Sequence, residues 1–502
     1  VSSTPTHATT DAGVYISWVE HLIDDEVLGG VPIRGADGLK LADLDRDGNM
    51  DIVSVHEDSN HLRIAYGSGT PDVWELHTLA EGGIAGAAED VAVGDINADG
   101  WADLLFACEE GHVAYFQNPA TGDRSTTWPH VIPAPAVGRG SWLRVFIADM
   151  KGDGSLDVLA ANKGGTDLVD TSAGEPDSGT TSLFTIVGDP LESDSWREQV
   201  LMERGVPNIA MPFDIDTDGD IDVLGASRLE QRAFIIENLG VSEANELRTS
   251  IHEVVLKPAF KADKGWHGGT GAFHAAFHDI DEDGRDDLVA VVTESKGDNK
   301  TFTLGWLQHP GSISEPWFYH RIGHFLPDWI TGFAMADIDG DSDLDVIAGG
   351  YSGLNVIDLG YSGASREFDD PRVTASATTG RIAWFENTGV SAEGSSWTRH
   401  DVSRRVRGMY DEFIARDMDG DGDIDFVATR GNSGSFDGVF WLEQLRTAQP
   451  VAAFTTARAE ESRQLPLPPK NWRQLYDRNL EKIAPNKQTD RPQVPNSHQK
   501  SM

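Results

Sequence analysis

Seven copies of a nine-residue acidic phrase of the type D-x-D-x-D-G-x-x-D, each flanked by short apolar runs, predict an all-β chain folded as a seven-bladed β-propeller. The copies run from Asp43 to Asp51, Asp95 to Asp103, Asp149 to Asp157, Asp214 to Asp222, Asp279 to Asp287, Asp337 to Asp345 and Asp417 to Asp425. Their first aspartates stand 52, 54, 65, 65, 58 and 80 residues apart, which gives room for one four-stranded sheet per copy and is too long for a helical solenoid repeat. Glycine supplies 53 of the 502 residues and punctuates the strands; no amphipathic helix precedes the C-terminal tail.

Each blade reads in four steps. Runs such as Leu39 to Ala42, Val91 to Gly94, Val145 to Ala148 and Phe333 to Ala336 precede the loops as strand A. Ile52 to Val55, Leu104 to Ala107, Val158 to Ala161 and Phe426 to Thr429 follow them as strand B. Strand C is expected at Arg63 to Tyr66, Val113 to Gln117, Ala233 to Glu237, Thr303 to Leu307, Arg381 to Glu386 and Val439 to Glu443. Strand D opens on an aromatic and reaches a histidine, as in Trp74 to His77, Trp128 to His130, Trp317 to His320 and Trp397 to His400. The last copy lacks a strand D, and Trp18 to Ile23 carries that signature, so the N-terminal strand is expected to complete the last blade and close the ring. The propeller should span residues 14–446. Residues 447–502, rich in proline, should form an outer strap and tail with a short helix from Trp472 to Ile483.

Composition narrows the function. A net charge of −42 repels phosphate backbones and anionic membranes, so nucleic acid is not an expected partner. Much of that charge sits in the seven loops, and six filled divalent sites would bring it to −30. Cys108, the only cysteine, makes no intramolecular disulfide and is expected in the core. No apolar run is long enough to span a membrane, and a chain that begins at Val1 is expected to be a processed, monomeric one.

Oxygen ligands at alternate positions of a tight loop suit Ca²⁺, which accepts six to eight oxygens in irregular geometry. The side-chain ligands expected are Asp43, Asp45, Asp47 and Asp51; Asp95, Asn97, Asp99 and Asp103; Asp149, Asp153 and Asp157; Asp214, Asp216, Asp218 and Asp222; Asp279, Asp281, Asp283 and Asp287; Asp337, Asp339, Asp341 and Asp345; and Asp417, Asp419, Asp421 and Asp425. Asn49 offers a backbone carbonyl. Lys151 takes a ligand position in the third loop, where its ammonium is expected to bridge Asp149, Asp153 and Asp157 in place of an ion, leaving about six structural Ca²⁺ sites. The absence of a glutamate at position twelve, and the flanking strands, separate these loops from an EF-hand.

The loops resemble those of the FG-GAP/VCBS repeat family, whose members include the calcium-bearing seven-bladed propellers of integrin α chains. The resemblance covers residues 14–446 and implies both the fold and the ion. Calcium loops of modest affinity fill at millimolar concentration, so a secreted or cell-surface location is expected.

With the A–B loops on one face, function belongs to the opposite face, where the D–A and B–C connections surround the channel. Five residues before each first Asp stand Gly38, Asp90, Arg144, Ile209, His274, Gly332 and Glu412. Further back, Arg34, Arg139, Arg204 and Arg407 recur, and the B–C turns contribute His56, Glu57, Lys163, Arg228 and Tyr351. Converging guanidiniums suggest an anion site; the alternative is rim pairing with Asp37, Asp90, Asp411 and Glu412. His267 and His274 flank a glycine-rich run and are candidates for proton transfer or for a transition metal. Trp142, Trp266 and Trp329 are candidates for sugar stacking, and the insertions at 163–181 and 351–380, the latter with Tyr361, for groove walls.

Several polysaccharide lyases and the fungal aldos-2-ulose dehydratase have similar propellers. By that weaker resemblance the chain is expected to be a secreted carbohydrate-active enzyme, a lyase or dehydratase acting on an acidic polysaccharide or sugar by β-elimination. Arg139, Arg204 or Arg407 would neutralise the uronate, His274, His267 or His56 would act as base, and Tyr410 or Tyr351 as acid. The alternative is a non-catalytic calcium-stabilised propeller that binds a glycan or a protein.

Overall fold

The computed structural model of the 502-residue chain describes residues 4–165, 178–296, 299–326, 328–351, 379–391, 394–406 and 408–458. They form seven sheets, each built on four antiparallel strands, which follow chain order in six of the seven. The first three blades are Ala36–Ala42, Asp51–His56, His61–Gly67 and Trp74–Glu81; Ala88–Gly94, Asp103–Cys108, His112–Phe116 and His130–Val131; and Ser141–Ala148, Asp157–Gly164, Ser178–Ile186 and Trp196–Gly205. Blade 4 is Pro207–Phe213, Asp222–Ser227, Arg232–Val241 and Leu247–Glu253. Blade 5 enters through Trp266–Gly269 and Ala275–His278 and continues as Asp287–Lys296, Asn299–Gln308 and Trp317–Gly323. Blade 6 is Phe333–Ala336, Asp345–Tyr351, Thr379–Ser391 and Gly394–Val406. The architecture is the expected all-β seven-bladed propeller.

The last blade joins Phe413–Arg416, Asp425–Arg430 and Gly438–Thr447 to Tyr15–Asp25. That N-terminal strand runs antiparallel to Gly438–Thr447 from Tyr15 opposite Thr447 to Asp25 opposite Gly438. On its other edge Phe454–Thr455 adds a short parallel strand opposite Trp18 and Val19. The helix expected over Trp472 to Ile483 lies outside the described residues.

The histidine of strand D has a repeated job. His21 stacks on Trp441 at 4.3 Å, His130 on Phe116 at 4.7 Å, His320 on Trp306 at 4.1 Å and His400 on Trp384 at 4.4 Å, in each case an aromatic of the neighbouring strand C. His21, His252 and His400 also bond Glu443, Glu237 and Glu386 of that strand at 2.6–2.7 Å. His21 fills the D position of the last blade with the same contacts, which is why Trp18 to Ile23 carries the D signature.

Strands B are buried along their whole length in Asp51–His56, Asp103–Cys108, Asp222–Ser227 and Asp425–Arg430. A strand packed between neighbouring blades has two dry faces, so apolar residues run without alternation. The apolar clusters accordingly straddle pairs of blades: Val53 and Ile64 of blade 1 pack with Val91 and Phe106 of blade 2, and Leu224 and Ile235 of blade 4 with Leu288 and Leu307 of blade 5. Cys108 is buried in the first of these clusters.

Close approach at the channel explains two glycines. A Cβ on Gly332 would stand 2.1 Å from the carbonyl oxygen of Asp411, and one on Gly38 would stand 3.0 Å from that of Glu89, because the next blade's strand A passes against each.

Candidate functional site

The acidic loops hold themselves in shape. In all seven, the first aspartate accepts the backbone N–H of the sixth residue, as Asp43 does from Gly48 at 3.1 Å, Asp279 from Gly284 at 2.8 Å and Asp417 from Gly422 at 3.2 Å. The ninth aspartate is buried and faces inward. Asp51 accepts from Leu44 at 2.7 Å and Gly67 at 2.9 Å, and Asp103, Asp222, Asp287, Asp345 and Asp425 repeat this double bond. These aspartates latch each loop to the end of strand C. Burial, with neighbouring aspartates adding, drives Asp51 up to about 6 and Asp287 and Asp345 to about 8.

Blade 3 departs from the pattern. Lys151 Nζ stands 3.5 Å from Asp157 Oδ1 and donates to Thr185 Oγ1 at 2.5 Å. Its contacts among the described residues are with Asp157 and Thr185, not the three-aspartate bridge expected.

The donor set fits a divalent cation. Carboxylate oxygens lie within 4.8 Å of one another in the groups Asp43–Asp45–Asp51, Asp214–Asp216–Asp218, Asp279–Asp281–Asp283 and Asp337–Asp339–Asp345. Buried oxygens of Asp43, Asp214 and Asp216 have no hydrogen-bond partner, so the first and fourth loops present free acceptors that a cation would satisfy.

On the opposite face, side chains from several blades meet at the channel mouth. Arg144 Nη2 lies 2.8 Å from His274 Nε2 and 3.0 Å from its Nδ1, and Arg144 Nη1 stands 3.5 Å from Asp90 and 3.6 Å from Glu412. His274 Nδ1 is 3.7 Å from Glu412, and Lys40 reaches Glu412 at 3.3 Å and Asp90 at 3.9 Å. Burial, then the positive charges of Arg144 and Lys40, hold His274 well below the ordinary imidazole range, so it is neutral at physiological pH. Four of the seven positions aligned five residues before the loops thus converge.

A second, acidic tier lies beside them, of which the sequence reading names Asp37 and Glu57 but not Glu89. Asp37, Glu57 and Glu89 bring carboxylate oxygens within 4.8 Å of one another. Burial, then Glu109 and Asp58, push Glu57 up to about 7; burial raises Asp411 to about 6 and holds Asp37 and Glu89 well above the ordinary carboxylate range. At Asp37 the cause is burial, with the charges of Glu89 and Asp411 adding to it. Tyr351 sits in the field of Asp411 and Arg228, edge-on to Trp329 at 5.5 Å; burial, then Asp411, keeps its phenol protonated. Trp329 is 40% exposed.

Other candidates are elsewhere. Arg139 pairs with Glu198, and Arg204 stacks 4.8 Å over Phe234. Neither builds the expected anion site, and carboxylates outnumber cations at the mouth. Tyr410 is fully buried and accepts from Arg405 Nε at 2.6 Å, while Arg405 Nη1 bonds Glu20 at 3.0 Å. That makes Tyr410 a packing residue between blades 6 and 7, not an acid. His56 is fully buried against Ser54, and burial, then Arg63, drives it down to about 3. His267 is exposed opposite Ser295, whereas His274 precedes Ala275, which pairs with Ala290. The two histidines therefore do not form one metal or proton-transfer pair. Trp142 is buried against Phe184. Arg407 and Tyr361 lie outside the described residues.

An FG-GAP-like repeat model matches residues 43–106, 95–160 and 279–348, so the chain carries FG-GAP-like repeats. No curated protein matches it. Among solved structures, BBS1N in complex with ARL6DN, soaked with lead, is 11% identical over 86% of this chain and 98% of that one, with a TM-score of 0.39. The V. cholerae biofilm matrix protein Bap1 is 10% identical over 87% of this chain and 92% of that one, with a TM-score of 0.37.

Proposed function

We propose that the protein is a secreted carbohydrate-active enzyme that cleaves an acidic saccharide by β-elimination at the channel mouth, with Ca²⁺ in the acidic loops as a structural ion. The observation that carries this reading is the buried His274 held 2.8 Å from Arg144 across the channel, a setting that favours the neutral imidazole. A base must reach the substrate unprotonated, and burial beside a guanidinium keeps an imidazole so.

His274 takes the proton α to the uronate carboxylate, and that C–H electron pair becomes the new carbon–carbon double bond. The bond to the leaving oxygen breaks, and Tyr351 donates the phenolic proton that completes it. Arg144 offsets the carboxylate charge, while Trp329 offers a flat face for the ring. Residues of the acidic loops would hold Ca²⁺, whose charge offsets the clustered carboxylates there.

Incubation with a panel of uronic-acid polysaccharides, followed by ultraviolet absorbance of the unsaturated uronate, tests this. Absorbance should rise with at least one of them; a flat trace for all, from folded and calcium-loaded protein, rejects the reaction. The carboxylate excess of Asp37, Glu57 and Glu89 favours a second reading, a non-catalytic propeller that binds a glycan or protein through basic groups of the partner. Tight binding without product formation would select it.

A further inference from the structure

A cleft of 360 Å³ opens on blade 5, away from the mouth, lined among others by Phe260, Lys261, Trp266, Lys296 and Arg321. Its floor is Glu294, 8% exposed, which accepts from Trp266 Nε1 at 2.9 Å, Tyr319 Oη at 2.8 Å and Arg321 Nε at 2.7 Å. Trp266 lies flat over Tyr319, 14° from parallel, with Phe260 edge-on to it at 6.0 Å and the Arg321 guanidinium 3.8 Å over Phe260. One buried carboxylate therefore fixes an aromatic corner before any ligand arrives.

The charges of the lining do not cancel. Glu294 is matched by Arg321, and Asp263 by Lys296 at 2.6 Å. Lys261 is exposed and has no ion-pair partner among the described residues. In a chain of net charge −42, an aromatic corner with a spare ammonium and two hydroxyls, Ser295 and Thr301, is an exception. Sugar C–H faces pack on aromatic rings, hydroxyls bond hydroxyls, and one ammonium matches one carboxylate.

We propose that this cleft binds one uronic-acid residue of an acidic saccharide, with Trp266 as the stacking platform and Lys261 as the carboxylate partner. It lies on the face of the mouth: Trp266 pairs opposite Lys296, whereas Ala275, next to His274, pairs opposite Ala290. Six residues along the strand separate the two, about 20 Å. A polymer chain could occupy both places, and binding at the cleft does not depend on whether the mouth cleaves what is held.

Calorimetric titration of the full chain with tetragalacturonate, with cellotetraose as the uncharged comparison, tests the assignment. Tetragalacturonate should bind and cellotetraose should not, and Trp266→Ala and Lys261→Glu should each weaken binding at least tenfold. Because Trp266 also bonds Glu294, the exposed Lys261→Glu variant separates lost binding from lost folding. Wild-type affinity in both cleft variants, equal binding of the two saccharides, or no binding of tetragalacturonate would overturn it. Binding at the cleft together with a flat absorbance trace for the whole uronic-acid panel would reject the reaction at the mouth and leave the cleft standing.

Discussion

Arg144 of the third blade reaches 2.8 Å from His274 of the fifth, so two side chains far apart in sequence, on blades that are not neighbours, meet over the channel. The pair ties a strong base's guanidinium to an imidazole in a buried setting, and this sets the imidazole's charge.

Replacing Arg144 with glutamine should remove one of the two cations that depress His274. The imidazole should then titrate closer to its ordinary value, followed by nuclear magnetic resonance of the ring protons. Elimination by this variant should fall by about 10²-fold or more, the usual worth of an oriented acid–base group.

Tyr410→Phe separates packing from chemistry. The lost phenol leaves Arg405 one acceptor short, and the melting free energy should drop by about 1–3 kcal/mol. Product formation should stay at the wild-type rate, because the Tyr410 side chain is fully buried and its hydroxyl is taken up by Arg405.

The ninth aspartate of a loop should matter more to folding than its exposed neighbours. Asp222→Asn sets an amide N–H₂ against the N–H of Ile215 or Asn238 and should cost about 2–3 kcal/mol even in saturating calcium. Asp218→Asn, at an exposed position, should lower calcium uptake with little effect on the calcium-free melting point. Lys151→Asp should restore the third loop and add one equivalent of bound calcium, read by elemental analysis.

Chelated protein should lose stability as pH rises from 6.5 to 8.5. Asp287 and Asp345, driven up to about 8, hold protons in the folded chain that an unfolded aspartate has released above about pH 4. Their contribution is complete below that value and is lost as pH climbs through about 8. His56 and His320, driven down to about 3 and about 4, stay out of this window, because they are neutral in both states above their ordinary value of about 6.5. Each kcal/mol lost should lower the melting point by roughly 2 °C in a domain this large, and calcium should reverse the fall.

The loops were legible because their ligands are local: Asp337, Asp339 and Asp345 are neighbours in sequence before they are neighbours in space. Counting back from the first aspartates found Asp90, Arg144, His274 and Glu412 because the inner strands repeat in register. The row one position further back, six residues before the first aspartates, holds Asp37, Glu89 and Asp411, and reading only the fifth position left this acidic row unassembled; Glu57 joins it from a B–C turn, outside that register. Counting back also placed Arg139 at the mouth, whereas the strand that follows is irregular at Ser141/Trp142 and again at Trp142/Arg144. A bulge re-aims every side chain before it, and sequence patterning does not reveal one.

The most direct measurement is the rate of unsaturated-uronate formation by wild-type and His274→Ala proteins, both calcium-loaded and with matching circular dichroism. A wild-type rate at least about 100-fold above the variant's is expected for a positioned base. Equal rates would contradict the assignment of His274 and, with it, the channel mouth as the reacting site.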